Sequence, residues 1–511
     1  MNSLSHLPIK TIFQIADGYK LSHWSALPED TTHVFSNMTP RNSRIPHLNK
    51  VMVFGLQYAI KEIHQMFDDF FFDIPVEDVI KGYSDLWQQY FGTEPLAENV
   101  RRITNLHSYG SLPIEIHSLV EGTYCPIGVP FWLVRNTHAD FPWVTNFIET
   151  MFSSLVWKLV TNATISAEYK KNYLAFCNET SDLDFMPDFQ GHDFSMRGMS
   201  GINDAASSGM AWLLNFKGSD SMPAIAAVEY YYPLSNSDTM IATSVPASEH
   251  SLQCSYLVDT DDTELSDRNY VSSMLKTYPT GIVSVVSDGF DFWRLVTKTL
   301  VDLKPEILAR NGKLVVRPDS SPKTPVEIII GDPEASTEWE RKGLIECLWD
   351  IFGGTVNSKG YKELDQHIGA IYGDSITLDY QVRILQGLKE KGFSSTNILL
   401  GTGSYSLQFS TRDTFGMAIK ATAMEIKGRT VPIYKDPKTD KGEKKSAKGY
   451  LGVTKNLATG AIELLQSCNS YEEAVNCPGS LMVKTYSDGV FYNQLNWEQV
   501  TLNALESILS S

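Results

Sequence analysis

Residues 282–303, IVSVVSDGFDFWRLVTKTLVDL, give the clearest indication of the fold class. It opens with a short apolar run that ends in the polar turn SDGFD. Residues 292–303 follow, with apolar side chains at the three- and four-residue spacing of a helix. A buried strand followed by an amphipathic helix is the βα unit of α/β proteins, so the stretch predicts a parallel sheet.

The same pattern recurs on both sides, from about residue 190 to 405. Further apolar runs end abruptly in polar residues at 240–245, 314–316, 368–372 and 398–400, and residues 380–392 have helical spacing. We therefore predict an α/β domain with helices on the sheet; the strand count and closure stay open. Since parallel barrels carry their chemistry where strands end, the site is sought there.

The two chain ends are organised differently. Strand-like stretches (THVFSNM, LPIEIHSLVEG, VPFWLVRN) stand beside the helical WVTNFIETMFSSLVWKLV. We expect a second, mixed α+β domain built from both ends. Its N-terminal part is 1–181, the catalytic domain is 182–412, and its C-terminal part is 413–511.

The overall charge limits which classes of binding partner are expected. The 511 residues include 43 Lys and Arg against 60 Asp and Glu, a net charge of −17, which disfavours nucleic acid and anionic membranes. An anionic substrate then needs a local basic pocket. The six cysteines are scattered, without metal-ligand spacing, and neither a signal-peptide pattern nor an 18-residue apolar run occurs. We expect a cytoplasmic protein with no membrane partner.

Several polar residues follow the predicted strands or precede helices. Arg197, before a helix, could bind phosphate or pair with a surface carboxylate. Arg317 and Asp319 flank Pro318 after a strand, which suits a diphosphate and a sugar hydroxyl or magnesium, or a structural ion pair. Asp288 and Asp374 repeat this placement; they could share magnesium or cap helices.

Three weaker signals complete the set. GTGSYS, residues 401–406, is a glycine-rich turn followed by Arg412, but it lacks the spacing of a P-loop or a dinucleotide fingerprint. His250 follows another strand end and could act as acid, base, nucleophile or structural residue. The Lys-rich residues 434–450 predict an exposed loop.

Together these segments resemble the nicotinamide phosphoribosyltransferase family, part of the type II phosphoribosyltransferases. The matching stretches run in the same order over nearly the whole chain: ADGYKLSHW (16–24), VFGLQYAI (53–60), SYGSLPIEIHSLVEGT (108–123), HDF…RG…NFKGSD (192–220), SVPASEHS, SVVSDGFD, VVRPDS, NSKGYKEL, the GD of IYGDS, LGTGS, TRD and YKDP. The resemblance implies an irregular (β/α) barrel beside the second domain, a homodimer with shared active sites, and synthesis of nicotinamide mononucleotide from nicotinamide and phosphoribosyl pyrophosphate in NAD salvage.

The resemblance also assigns roles to residues. Phe194 and the second subunit's Tyr19 would stack on nicotinamide, and Asp220 would accept its amide N–H. Phosphate, diphosphate and ribose would be held by Arg197, His250, Arg317, Pro318, Asp319, Gly373, Asp374, Gly403, Ser404 and Arg412. The catalytic set would be His250, Asp288, Arg317 and Asp319. His250 would be phosphorylated by the co-substrate ATP, with Asp288 orienting its ring. Arg41, Lys420, Lys435 and Lys444 could contact ATP or diphosphate; Mg²⁺ is the implied cofactor, with no protein ligand assigned.

Three positions depart from the family pattern. Ser404 stands in a glycine run, HIGA lacks an arginine before IYGDS, and Tyr450 replaces a basic residue. The nearest alternative is a nicotinate phosphoribosyltransferase, against which Asp220 argues, because its carboxylate would repel nicotinate. A catalytically silent binding protein should lack His250, Arg317 or Asp319. An enzyme for another phosphorylated sugar requires Phe194, Tyr19 and Asp220 to lie far apart.

Overall fold

The computed structural model describes residues 8–235, 240–319, 323–373, 375–435 and 447–511. Asp374 and Lys444, both expected at the site, lie outside these residues. The chain forms two compact units, the first comprising Met1–Thr164, Glu229–Ser237 and Ser410–Ser511, and the second Ile165–Val228 and Asp238–Phe409. The division between Thr164 and Ile165 falls inside the helix Pro142–Thr180. A continuous helix gives no loop signal at such a division.

The first unit contains an antiparallel sheet of seven strands. In spatial order they are Arg429–Pro432, Met417–Ile426, Thr31–Pro40, Trp132–Asn136, Ile114–Ser118, Val483–Ser487 and Val490–Phe491. Two-stranded ribbons pair Lys50–Met52 with Tyr124–Pro126, and Tyr450–Lys455 with Ile462–Cys468. The strands from the N-terminal and C-terminal segments therefore share one sheet and one apolar core.

Helices cover this sheet. They are Leu56–Phe67, Val76–Phe91, Ala97–Tyr109, Tyr471–Asn476, Trp497–Leu509 and the first part of Pro142–Thr180. The helix Val76–Phe91 ends at Gly92, whose φ of 72° lies in the left-handed region that glycine adopts without strain. Trp497–Leu509 begins with a capping box between Asn496 and Gln499.

The second unit contains the predicted parallel sheet. Its strands, in spatial order, are Gly218–Ser219, Gly191–Asp193, Ile398–Thr402, Ile368–Tyr372, Asn311–Arg317 and Thr280–Val286. Every pairing between neighbours is parallel. Their carboxyl ends therefore meet at one edge, as expected from the apolar runs at 282–286, 314–316, 368–372 and 398–400.

Residues 243–247 link the two outer strands of the sheet. Thr243 forms a parallel bridge with Gly218, and Ala247 forms one with Ser284. The sheet is thereby curled into an irregular barrel. The prediction of a strand at 240–245 is wrong, because only Thr243 in that segment pairs with a strand.

Helical segments precede and follow the barrel strands along the chain. They are Pro187–Gln190, Ile202–Leu213, Met222–Tyr231, His250–Ser255, Thr263–Thr277, Lys304–Ala309, Pro325–Ile329, Glu338–Lys342, Leu344–Phe352, Leu378–Glu390 and Ser404–Gln408. The predicted helix at 292–303 is Phe292–Arg294, a π-helical turn Leu295–Thr299 and Leu300–Asp302. A small ribbon pairs Gly354–Val356 with Lys362–Leu364. Across the described ranges, no helix has the length and apolarity to span a bilayer.

Candidate active site

A cavity of about 660 Å³ lies in the second unit at the carboxyl ends of the strands. Its lining residues are Phe194, Met196, Arg197, Asp220, Arg317, Asp319 and Gly373. Most of them follow directly from strand order: Phe194, Asp220 and Gly373 each come one residue after a strand, and Arg317 is the last residue of one. Side chains far apart in sequence thus converge because their strands are parallel neighbours.

The aromatic wall of the cavity is Phe194. Its backbone N–H donates to the Thr402 carbonyl at 3.0 Å. The ring lies against Gly401, where an added Cβ would stand 2.5 Å from Phe194 Cδ2. A glycine at 401 is therefore required for this ring position.

The carboxylate of Asp220 receives two hydrogen bonds on the same oxygen. Ser244 Oγ donates to Oδ1 at 2.8 Å, and His192 Nε2 lies 2.9 Å from Oδ1. Burial alone would raise the pKa of Asp220, but the hydrogen bond and charge of His192, the Ser244 hydroxyl and the nearby Arg317 lower it below its ordinary value. Asp220 is thus held as a carboxylate within an otherwise partly apolar cavity.

Arg317 supplies a fixed positive charge. Its Nη2 donates to the Ser248 carbonyl at 2.6 Å, which orients the guanidinium. Its Nε is buried and donates to no acceptor in the described ranges. Arg197, on the short turn Met196–Gly198, is exposed at the cavity edge. Two guanidinium groups on one cavity suit an anionic ligand with several oxygens.

A chain of hydrogen bonds joins three of the expected catalytic residues. His250 Nε2 lies 2.9 Å from Asp288 Oδ1, and the Asp319 backbone N–H donates to Asp288 Oδ2 at 2.8 Å. The His250 side chain is 41% exposed, whereas Asp288 is 4% exposed. An ionised Asp288 carboxylate accepts a hydrogen bond from Nε2–H in this geometry. A buried acid therefore orients an accessible imidazole.

The glycine-rich turn contacts the loop that carries Arg197. A Cβ added at Gly198 would overlap the side chain of Ser404, so the hydroxymethyl group occupies the space that glycine leaves at 198. Gly403 precedes the short helix Ser404–Gln408 and is buried. Ser404 is thus accommodated by a complementary glycine.

Other expected residues belong to the first unit. Tyr19 is 60% exposed there, and Arg412 is 57% exposed beside Asp413. Lys420 has its pKa lowered by burial and by the neighbouring charges of Arg41 and Lys435, so these three cations form a cluster.

Magnesium has no protein cage among the described residues, which contain no group of three or more His, Cys, Asp or Glu side chains able to hold a metal ion. Magnesium is commonly bound by one or two carboxylates together with substrate phosphates. The carboxylate of Asp319 beside Arg317 fits that mode.

His192 and Ser244 were missed by the sequence reasoning. His192 lies in the strand Gly191–Asp193, and Phe194 directly follows that strand. Alternation along extended backbone puts residues two apart on the same face. This period-two relation could have identified His192. Ser244 offers no such signal, because its segment is not a regular strand.

Comparisons with known proteins agree with these features. The model of the nicotinate phosphoribosyltransferase (NAPRTase) family matches residues 189–466, and that of the nicotinamide phosphoribosyltransferase N-terminal domain matches residues 11–116. A nicotinamide phosphoribosyltransferase of Acinetobacter baylyi is 42% identical over 453 residues, covering 86% of this chain and 87% of the relative. One of Mycoplasma pneumoniae is 33% identical over 442 residues, covering 83% and 92%.

The fold is also found in a solved structure. A nicotinate-nucleotide pyrophosphorylase from Pyrococcus furiosus superposes with a TM-score of 0.55 at 11% identity, covering 98% of this chain and 97% of that chain. This likeness concerns the fold, which is that of the type II phosphoribosyltransferases. The chain is an enzyme of the pentosyltransferase class and belongs to the nicotinate phosphoribosyltransferase (NAPRTase) family.

Proposed function

We propose that the protein transfers the phosphoribosyl group of phosphoribosyl pyrophosphate to nicotinamide, forming nicotinamide mononucleotide and diphosphate in NAD salvage. One observation carries the proposal: a single cavity combines an aromatic ring and an ionised carboxylate with two arginines. The names of relatives with 42% and 33% identity support the same reaction.

The base would bind between Phe194 and Asp220. The Phe194 ring offers a stacking face for a pyridine, worth about 0.5–1.5 kcal/mol beyond area burial. The Asp220 carboxylate would accept a hydrogen bond from the carboxamide N–H of nicotinamide. Nicotinate would instead bring a second negative charge to Asp220, which argues against the alternative of a nicotinate-specific enzyme.

The phosphoribosyl pyrophosphate would bind along the strand ends. Arg197 and Arg317, which line the cavity, would hold the diphosphate together with His250. Asp319 would bind the ribose hydroxyls beside Pro318 and Gly373. Gly403, Ser404 and Arg412 are proposed for the 5′-phosphate and ribose side, as is Asp374 on sequence alone.

The chain's own contribution to the reaction would be positioning and charge. The pyridine nitrogen is a free nucleophile, so it needs no general base to attack C1 of the ribose. Phe194 and Asp220 would align that nitrogen, while Arg197 and Arg317 would stabilise the negative charge on the departing diphosphate. Magnesium, bound to phosphate oxygens and Asp319, would further neutralise that charge.

The His250–Asp288 pair supports a coupling to ATP. With Nε2–H directed at Asp288, the Nδ1 lone pair could attack the γ-phosphorus of ATP, forming phosphohistidine and releasing ADP. Water would later cleave the phosphohistidine bond to release phosphate. The cation cluster of Arg41, Lys420 and Lys435 would bind ATP or diphosphate, as would Lys444 on sequence alone.

We further propose a homodimer in the cytoplasm. Tyr19, exposed in its own chain, would reach the base bound by a second copy. Exposed aromatic residues on the second unit support a partner surface, since Tyr405 and Phe409 stack at 4.9 Å while 58% and 78% exposed.

The test is a chromatographic product assay on purified protein. Nicotinamide, phosphoribosyl pyrophosphate and magnesium should yield nicotinamide mononucleotide, and ATP should accelerate it. His250→Gln should lose the ATP acceleration and the acid-labile phosphate label from [γ-³²P]ATP. Absence of product from the wild type would refute the transferase proposal, and an unchanged label in His250→Gln would refute the phosphohistidine.

A further inference from the structure

His192 contacts two of the residues proposed to bind the base. Its ring centroid lies 4.5 Å from that of Phe194 with an interplanar angle of 34°, and its Nε2 lies 2.9 Å from Asp220 Oδ1. The side chain is 7% exposed. One buried imidazole thus joins the aromatic wall of the cavity to its carboxylate.

The donors to Asp220 converge on one oxygen only. His192 and Ser244 both reach Oδ1, and no donor in the described part of the chain bonds to Oδ2. Because the ionised carboxylate is an acceptor, His192 Nε2 must carry a proton. This arrangement fixes the rotation of the carboxylate and leaves Oδ2 as the oxygen that can accept from a ligand.

The ring of His192 is held in place from behind. A Cβ added at Gly218 would stand 2.8 Å from His192 Nδ1, so the imidazole packs closely on the backbone of the neighbouring strand. His192 itself lies in the parallel strand Gly191–Asp193, which pairs directly with Gly218–Ser219. The orientation of Asp220 is therefore set by the barrel strands.

We propose that His192 is a positioning residue that determines the choice of base, amide over acid. By donating to Oδ1, it keeps Asp220 ionised and turns Oδ2 toward a carboxamide N–H. Without this donor, Asp220 protonates more readily and can rotate, and a protonated carboxyl group can donate to a carboxylate ligand. The inference rests on the proposed function, since it presumes that nicotinamide binds beside Asp220.

Two substitutions at 192 separate the donor from the packing. His192→Phe keeps a ring beside Phe194 but removes the donor, whereas His192→Gln keeps an N–H near the position of Nε2. We expect His192→Phe to raise KM for nicotinamide about tenfold or more, as for loss of a hydrogen bond to a charged group, with a smaller change in kcat. The ratio of kcat/KM for nicotinate over nicotinamide should rise. His192→Gln should restore both values to within about threefold of the wild type.

Two further variants give a second test and a control. Ser244→Ala removes the second donor to Oδ1 without disturbing a buried strand, so it should raise KM for nicotinamide by about two- to tenfold even if His192→Phe does not fold. His117→Phe removes a buried, hydrogen-bonded histidine in the other unit and should leave both KM values unchanged.

The outcomes are distinguishable. If the wild type makes no nicotinamide mononucleotide, the proposed function fails and the inference falls with it. If the wild type is active but His192→Phe and His192→Gln behave alike, or if KM for phosphoribosyl pyrophosphate changes as much as KM for nicotinamide, the positioning role of His192 is overturned while the proposed function stands.

Discussion

Adding one methyl group at Gly373 should impair the enzyme through Asp319. An alanine Cβ there would stand 2.3 Å from Asp319 Oδ1, 3.1 Å from its Cγ and 3.3 Å from Arg317 Cδ. Since a carbon–oxygen contact needs more than 3 Å, the carboxylate must move by about 1 Å. Misplacing a positioning group by about 1 Å can cost about 100-fold in rate. We therefore expect Gly373→Ala to lower kcat/KM for phosphoribosyl pyrophosphate by about 100-fold.

A neighbouring glycine provides the matched control for this substitution. Gly369 lies on the strand that Gly373 follows, and a Cβ there would stand 3.1 Å from Lys313 Cδ and 3.7 Å from Val315 Cγ2. Gly369→Ala should change kcat/KM by less than about threefold, because the lysine side chain can shift. Initial rates at varied phosphoribosyl pyrophosphate, with thermal unfolding of each variant, measure this. Wild-type kinetics in Gly373→Ala, or an equal loss in Gly369→Ala, would refute the reasoning.

Three further substitutions give independent predictions. Asp220→Asn should weaken nicotinamide use about tenfold and reduce the exclusion of nicotinate; unchanged selectivity in a kcat/KM comparison would contradict the electrostatic account. Tyr19→Ala should raise KM for nicotinamide about two- to tenfold through loss of stacking, and unchanged KM would exclude its contact with the base. Burial lowers the pKa of His117 to about 4, so the unfolded chain binds a proton that the folded chain does not between about pH 6.5 and 4. The free energy of unfolding should fall by up to about 3 kcal/mol as pH falls through that window. In His117→Gln the free energy of unfolding, measured with urea, should depend less on pH. The same pH dependence in the variant and the wild type would contradict the lowered pKa of His117.

The parallel sheet was predictable because its strands are short and apolar. The runs at 282–286, 314–316, 368–372 and 398–400 all form strands of the parallel sheet. Residues 240–245 have a similar composition but form only one bridge. Periodicity cannot detect this difference, since pairing depends on the two strands that the segment links.

The site was less predictable than the sheet. Arg317 and Asp319 stood out as charged residues after a strand, whereas Asp220 was expected only from the family resemblance. The structure places all three on one cavity. The contact of His192 with Asp220 depends on strands 28 residues apart, so local sequence does not reveal it. The packing of Ser404 against Gly198 likewise joins residues far apart in the sequence, so local sequence does not reveal it.

A competition assay between the two bases measures the base preference assigned to Asp220. Purified protein would receive equal concentrations of nicotinamide and nicotinate with phosphoribosyl pyrophosphate and magnesium, and both mononucleotides would be quantified by chromatography. Nicotinamide mononucleotide is expected in large excess. A predominance of nicotinate mononucleotide would contradict the role given to Asp220 and with it the proposed function.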